Sequence, residues 1–171
     1  MTLDLSNQVL KETNDALITN SSEEVREGML ELTQQARRSL DIYTHQLDHK
    51  LFNGQSLHDA ALELATYSRH SLIRIIVRDS TSAVKRGNRL VQLSYRISSR
   101  IQIRKPPIEY MADTLEYFIA DKRGLMYRPL SNRYEGKLNF NDSINSRQLE
   151  RSFNEMWEKS AADPELRQLM I

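Results

Sequence analysis

Arginine and lysine, rather than any usual nucleophile, carry the chemical signal in this sequence. Ser68–Lys105 holds ten basic residues against the single acid Asp79. The flanks are acidic: Met1–Tyr67 has five basic and eleven acidic residues, and Pro106–Ile171 has nine and eleven. The formal net charge of +1 therefore conceals a strongly segregated chain. Guanidinium and ammonium groups at this density suit phosphate or carboxylate ligands, nucleic acid or another polyanion foremost. Tyr43, Tyr67 and Tyr95 are too sparse for a base-stacking platform, so backbone contacts with steep salt dependence are expected.

Arg74 sits among Leu72, Ile73, Ile75 and Ile76, where a buried strand would require a carboxylate or a ligand to satisfy it. Glu116 is its candidate internal partner. Arg78 ends that run, at the place where α/β sheets open ligand crevices, and Lys85 and Arg86 follow. A second cluster, RPLSNRYEG from Arg128 to Gly136, adds Arg128 and Arg133. The anion-binding candidates are thus Arg74, Arg78, Lys85, Arg86, Arg128 and Arg133. The competing reading makes the basic segment a solvated face, with Arg128 bridging an acid and Tyr134 packing on Trp157.

Other chemistries find little support. The chain has no cysteine, which removes disulfides, thiolate zinc sites and a catalytic thiol. His45 and His49, with Asp48 between them, have helical spacing, but His58 and His70 lie elsewhere and a metal needs three or more converging ligands. No serine lies in a nucleophile elbow, and Gly87, Gly124 and Gly136 are isolated, so no phosphate-cradling loop or dinucleotide fingerprint is present. No cofactor or metal is expected. The N-terminal stretch has neither a basic nor an apolar signal region, and no apolar run approaches the roughly 20 residues of a membrane span. A cytoplasmic location without membrane contact is the resulting expectation.

The elements that must position these residues follow from periodicity. Residues 1–20 read as a loose or extended polar segment ahead of a single domain over 21–171. Ser21 and Glu24 form a capping box before Val25, Met29, Leu32 and Ala36. Leu40–Thr44 alternates as a strand, Ser56 caps a helix bearing Leu57, Ala60, Ala61 and Leu64, and Leu72–Val77 reads as a strand covered on both faces. Gly87-Asn88 precedes a helix with Leu90, Leu93 and Ile97. Arg100–Lys105 alternates as an edge strand stopped by Pro106-Pro107. Leu115–Ala120 and Leu125–Leu130 form a hairpin across Asp121–Gly124, and Ser131–Asp142 is a polar loop. A long helix then carries Leu149, Phe153, Met156 and Trp157, and Asp163-Pro164 opens a short final turn. Strands separated by helices imply right-handed parallel crossovers, with the hairpin adding an antiparallel pair: an α/β domain with a mixed, partly parallel sheet flanked by helices.

This order, with the hairpin ending in Asp121 and the helix ending in Phe153-x3-Trp157, resembles one half of a phospholipase D-like domain over roughly Arg38–Ser160. The runs FIADKRGLMYRPLSNRYEG and SFNEMWEKSAADPELRQL resemble, more closely, a bacterial family of small phospholipase D-like proteins, some of which carry acetyltransferase or acyltransferase names. In the superfamily, His-x-Lys-x4-Asp supplies a histidine that attacks phosphorus and a lysine that offsets charge on the phosphoryl oxygens. With Asp121 at the aspartate, the histidine position is Thr114 and the lysine position is Glu116. The motif is degenerate, and a carboxylate stands where the phosphate would need a cation. The second motif, Gly-Ser-x-Asn, is matched only in part by Gly136-Lys137-Leu138-Asn139 and by Arg128-Pro129-Leu130-Ser131. Single-half members of the superfamily pair as homodimers, so the resemblance implies that this chain dimerises.

Three functions follow as expectations. The first is a non-catalytic module that binds an anionic ligand, nucleic acid included, through the basic central segment. The second is an interaction or regulatory subunit whose basic stripe meets a protein partner such as an acyltransferase. The third is a phosphodiesterase or transferase with a rearranged site, for instance with His45 as nucleophile near Arg78.

Overall fold

Ser21 and Glu24 start the first helix as their spacing requires: the Ser21 side chain accepts from Glu24 N, and the Glu24 carboxylate accepts from Asn20 N at 3.0 Å. In the computed structural model, which describes residues 3–167, this helix is α1, Ser22–Gln35. It leads into β2, Ser39–Thr44. The chain continues through the single turn α2, His49–Phe52, into α3, Gln55–Ala65, and then β3, Leu72–Val77. Next come α4, Thr81–Arg86, α5, Arg89–Arg96, and β4, Ile101–Arg104. The hairpin is β5, Glu116–Ala120, and β6, Gly124–Arg128. The long helix α6 spans Ser143–Lys159.

The sheet order is β1-β7-β6-β5-β2-β3-β4, where β1 is Leu17–Thr19 and β7 is Gly136–Asn139. Strands β2, β3 and β4 are parallel, as the intervening helices imply, and β5 joins β2 antiparallel. This is the single mixed α/β domain that the pattern predicts, with β4 at one edge.

Side-chain alternation splits the core in two. Leu40, Ile42, Ile73, Ile75, Val77, Phe118, Met126 and Leu138 face α1, α3 and α5. Tyr43, Ile76, Tyr117, Ile119 and Leu125 face α6, where Phe153, Met156 and Trp157 cover them.

The segment before α1 is extended at Leu17–Thr19, where β1 pairs with β7, and it is also tied down: Leu10 is buried and Leu10 N donates to Gln35 Oε1. Three expectations need correction. The expected loop Ser131–Asp142 contains β7, which pairs with β6 just before it and with β1 more than a hundred residues earlier; at four residues, GKLN, it is too short to show an alternating pattern. The helix after β2 is capped at Gly54 rather than Ser56, and α2 precedes it. The short α4 also lies ahead of the helix that Asn88 caps.

Candidate functional site

Parallel β2, β3 and β4 give the sheet two chemically distinct ends. At the carboxyl end of β2 and β3 lie the start of β5 and the end of β6, and therefore Thr114, Glu116 and Arg128. Glu116 and Arg128 occupy partnered positions on β5 and β6, and their side chains form an ion pair that is almost fully buried. The other Glu116 oxygen accepts from Thr44 Oγ1 and His45 N, both at 2.7 Å. Arg128 further donates to the carbonyls of Ser131 and Arg133, and its guanidinium lies 5.6 Å from the Tyr134 ring centroid. Burial pulls the Arg128 pKa below the ordinary guanidinium value, against the opposing charge of Asp48. Thr114 Oγ1 donates to Pro129 O. The space beside the pair, bounded also by Met29, Tyr43 and Phe52, is about 10 Å³, room for one water.

Arg74 is satisfied by Asp41, at 2.8 Å, and Asn154, not by Glu116 as expected. It also stacks on Phe153 and Trp157. Burial pushes the Asp41 carboxyl above its ordinary value, and the Arg74 guanidinium only partly offsets this. Arg78 is 0% exposed: Nη1 donates to Leu115 O, its guanidinium lies over Tyr43, and Nε and Nη2 have no hydrogen-bond partner among the described residues. Tyr134 does not pack on Trp157, as one reading had it; its hydroxyl donates to Asp48 at 2.8 Å.

The six expected anion-binding residues are therefore not brought together. Arg74, Arg78 and Arg128 are structural cations on two different faces of the sheet. Lys85, Arg86 and Arg133 remain exposed, with Glu135 beside Arg133 at 3.9 Å.

Asp121 stands at the opposite end, where β5 ends and β2 begins. Asp121 and Lys122 both have positive φ, 50° and 62°, the left-handed geometry of a tight hairpin turn. The Asp121 carboxylate accepts from the backbone amides of Arg37, Arg38 and Ser39, with Lys11 Nζ at 3.3 Å. Burial alone would raise its pKa; these amides, with Lys11, outweigh that and hold it below the ordinary carboxylate range. Asp121 thus fastens the hairpin turn to the entry of β2.

Around it, Lys11, Arg38, Ser39, Lys122 and Arg123 line an open depression of about 440 Å³. Arg38 makes no side-chain hydrogen bond or ion pair among the described residues. Arg123 bonds only neutral Asn141. These cations were not among the expected candidates. The available signal was their position: a pair just before a strand, Arg37-Arg38, and a pair in a hairpin turn, Lys122-Arg123.

Gly136 and Asn139, the partial second motif, lie in β7. A Cβ on Gly136 would come within 2.5 Å of Tyr127 O, so strand packing explains the glycine. Among the described residues no three His, Asp or Glu side chains converge as a metal site would require, and no helix is long and apolar enough to cross a membrane. Asp48 instead caps α2, and His49 bonds Asn53.

Residues 21–169 match the model of a domain of unknown function, DUF7931. The chain belongs to the DUF7931 family. No curated protein sequence matches it. Solved structures give the fold of this DUF7931 domain. Nuc from Salmonella typhimurium, a phospholipase D family member, superposes with a TM-score of 0.58 at 13% identity, covering 86% of this chain and 96% of Nuc. TrmBL2, an archaeal chromatin protein, gives 0.62 at 14% identity over 85% of this chain and 53% of its own. Phosphatidylserine synthase from Haemophilus influenzae gives 0.59 at 15% identity over 92% and 41%. The chain thus spans nearly the whole of Nuc but about half of the chromatin protein. The fold is phospholipase D-like.

Proposed function

We propose that this DUF7931 chain is a non-catalytic phospholipase D-like module that binds a polyanion, nucleic acid in the first instance, through exposed cations. The buried Glu116–Arg128 pair carries the proposal. In the superfamily a lysine at that position meets the phosphoryl oxygens, and a histidine stands where this chain has Thr114. A paired carboxylate in a space of about one water leaves neither a nucleophile nor room for a phosphodiester. The fold also occurs in a chromatin protein described as binding DNA. Of the basic central segment, Arg69, Lys85, Arg86, Arg89, Arg96 and Lys105 are exposed to make such contacts, as is Arg133 outside it.

Two assays test this reading. Purified protein is expected to leave bis(p-nitrophenyl) phosphate intact and to retard labelled DNA at low ionic strength, with affinity falling steeply as salt rises. Hydrolysis that persists through purification and disappears in His45→Ala would overturn it in favour of a rearranged catalytic site. Absence of any DNA or RNA retardation at low salt would remove the nucleic-acid ligand.

The outer edge of β4, which pairs with no further strand among the described residues although Lys105 just beyond it bridges Ala161, favours a second reading, an interaction subunit or homodimer. There Tyr95, Ile101–Arg104, Ala161 and Leu166 line a groove of about 620 Å³. An unpaired strand edge is a template for pairing with another chain. Light scattering that gives a monomer, together with no co-purifying protein, would set this reading aside.

A further inference from the structure

The depression around Asp121 belongs to a longer feature. Because β2, β3 and β4 are parallel, the residues preceding them all emerge at one end of the sheet, together with the β5–β6 turn. Arg123 stands at the entry to β6, Lys122 in the turn, Arg37 and Arg38 ahead of β2, and Arg69 ahead of β3. All five are exposed. Adjacent strands lie about 4.8 Å apart, so the row from β6 to β3 spans about 14 Å.

The carboxylates at this end do not neutralise the row. Asp121 is occupied by three backbone amides and Lys11. Glu150 lies 3.4 Å from Lys122 and accounts for that one cation. Glu63 shares a shallow depression with Arg37, whose guanidinium is also held by the Gln34 and Ala36 carbonyls and stacks on exposed Tyr67. Arg38 and Arg123 have no carboxylate partner among the described residues. Arg100, ahead of β4, donates to the Ala65 and Ser68 carbonyls and ends the row.

We infer that this row, centred on the Arg38–Arg123 depression at the amino end of β2 and β3, is the seat of the nucleic-acid backbone. The inference rests on the polyanion-binding reading above and places the contact at the end of the sheet opposite the motif's histidine and lysine positions, Thr114 and Glu116. A strand of DNA carries one phosphate per about 3.4 Å, so a row of about 14 Å faces about four phosphates. Four contacts give a slope of log K against log salt of about −3.6, or about a 100-fold loss of affinity between about 50 and about 200 mM salt. Phosphate contacts without base readout also mean little sequence preference.

Fluorescence anisotropy with a labelled duplex of mixed sequence, titrated at several salt concentrations, tests the site on the full chain. The double variant R38E/R123E is expected to lose at least about 10-fold in affinity and to flatten the salt slope by about 2. R38Q/R123Q removes charge without reversing it and is expected to shift in the same direction by less. Circular dichroism and the thermal midpoint establish that both variants remain folded. Wild-type affinity in a folded R38E/R123E protein, with loss in K85E/R86E instead, overturns this site and leaves polyanion binding standing. Wild-type protein that binds no DNA even at the lowest salt overturns both. Polyglutamate that competes as well as DNA at equal charge overturns the assignment to phosphate.

Discussion

The two ends of the sheet use the same residue types for opposite purposes. At the carboxyl end of β2 and β3, Arg78 and Arg128 are buried, and the carboxylate of Glu116 is held by Arg128, Thr44 and the His45 amide. At the amino end the carboxylate is the anchored group: Asp121 is held by backbone amides, while Arg38 and Arg123 reach solvent. A buried ion is tied to its partners because leaving it unpaired costs several kcal/mol, of order 3–5 when one member of a buried pair is removed. An exposed cation has no such obligation and is available to a ligand. The sealed end is therefore expected to govern stability, and the proposal assigns binding to the open end.

That contrast breaks most visibly at Arg128. Arg128→Met leaves Glu116 buried without its counter-ion, and we expect a loss of about 3–5 kcal/mol in urea unfolding. Glu116→Gln combined with Arg128→Met removes both charges and is expected to recover most of that loss. A double variant as unstable as Arg128→Met would show that shape, rather than charge pairing, holds this end together.

The next effect is at Asp121. Asp121→Asn retains the shape but removes the charge that three amides and Lys11 address, with an expected cost of about 2–3 kcal/mol near neutral pH. Because the folded pKa lies below the unfolded value of about 4, this stabilisation is fully present above about pH 4. It is lost as pH falls through the folded pKa. The difference between wild type and Asp121→Asn should therefore shrink on acidification, and a difference independent of pH would assign Asp121 a purely steric role.

How much of this was legible in the sequence depended on the range of each interaction. Local rules located α1 through Ser21 and Glu24, β3 through its apolar run, and the β5–β6 hairpin through Asp121–Gly124, because those signals lie within a few residues. The partners were not legible. Arg74 meets Asp41 because β2 and β3 align in parallel register, and Glu116 meets Arg128 because they pair across the hairpin. β1 and β7 escaped notice because each is only a few residues long; β1 in addition pairs with a distant strand, whereas β7 pairs with its neighbour β6 as well. The row at the amino end escaped because its members come from three separate places in the chain. Charge density drew attention to Ser68–Lys105, yet half of the candidates named from charge and hairpin context prove to be internal.

Arg78 sharpens the comparison within the sealed end. It is as buried as Arg128 but has one hydrogen bond, one aromatic face and no carboxylate partner. Replacing a poorly paired buried ion with an apolar side chain of similar volume is often close to neutral or stabilising. Arg78→Met is therefore expected to change unfolding stability by no more than about 1 kcal/mol, well below the cost of Arg128→Met. A loss as large as that of Arg128→Met would mean that the unpartnered nitrogens are satisfied in solution, by a bound anion or ordered water.

The smallest effect on stability should come from the open end. Among the described residues the Arg38 side chain makes no hydrogen bond or ion pair and that of Arg123 bonds one neutral amide, so R38E/R123E should move the unfolding free energy by no more than about 0.5 kcal/mol. Retaining two uncompensated arginines beside Lys11 and Lys122 brings no folding benefit; their mutual repulsion acts against it, weakly, through solvent. A substitution that leaves folding unchanged but weakens DNA binding would separate the two ends experimentally. If R38E/R123E instead destabilised the chain by as much as Asp121→Asn, the open end would be a structural network too, with Arg38 and Arg123 serving the hairpin anchor rather than a ligand.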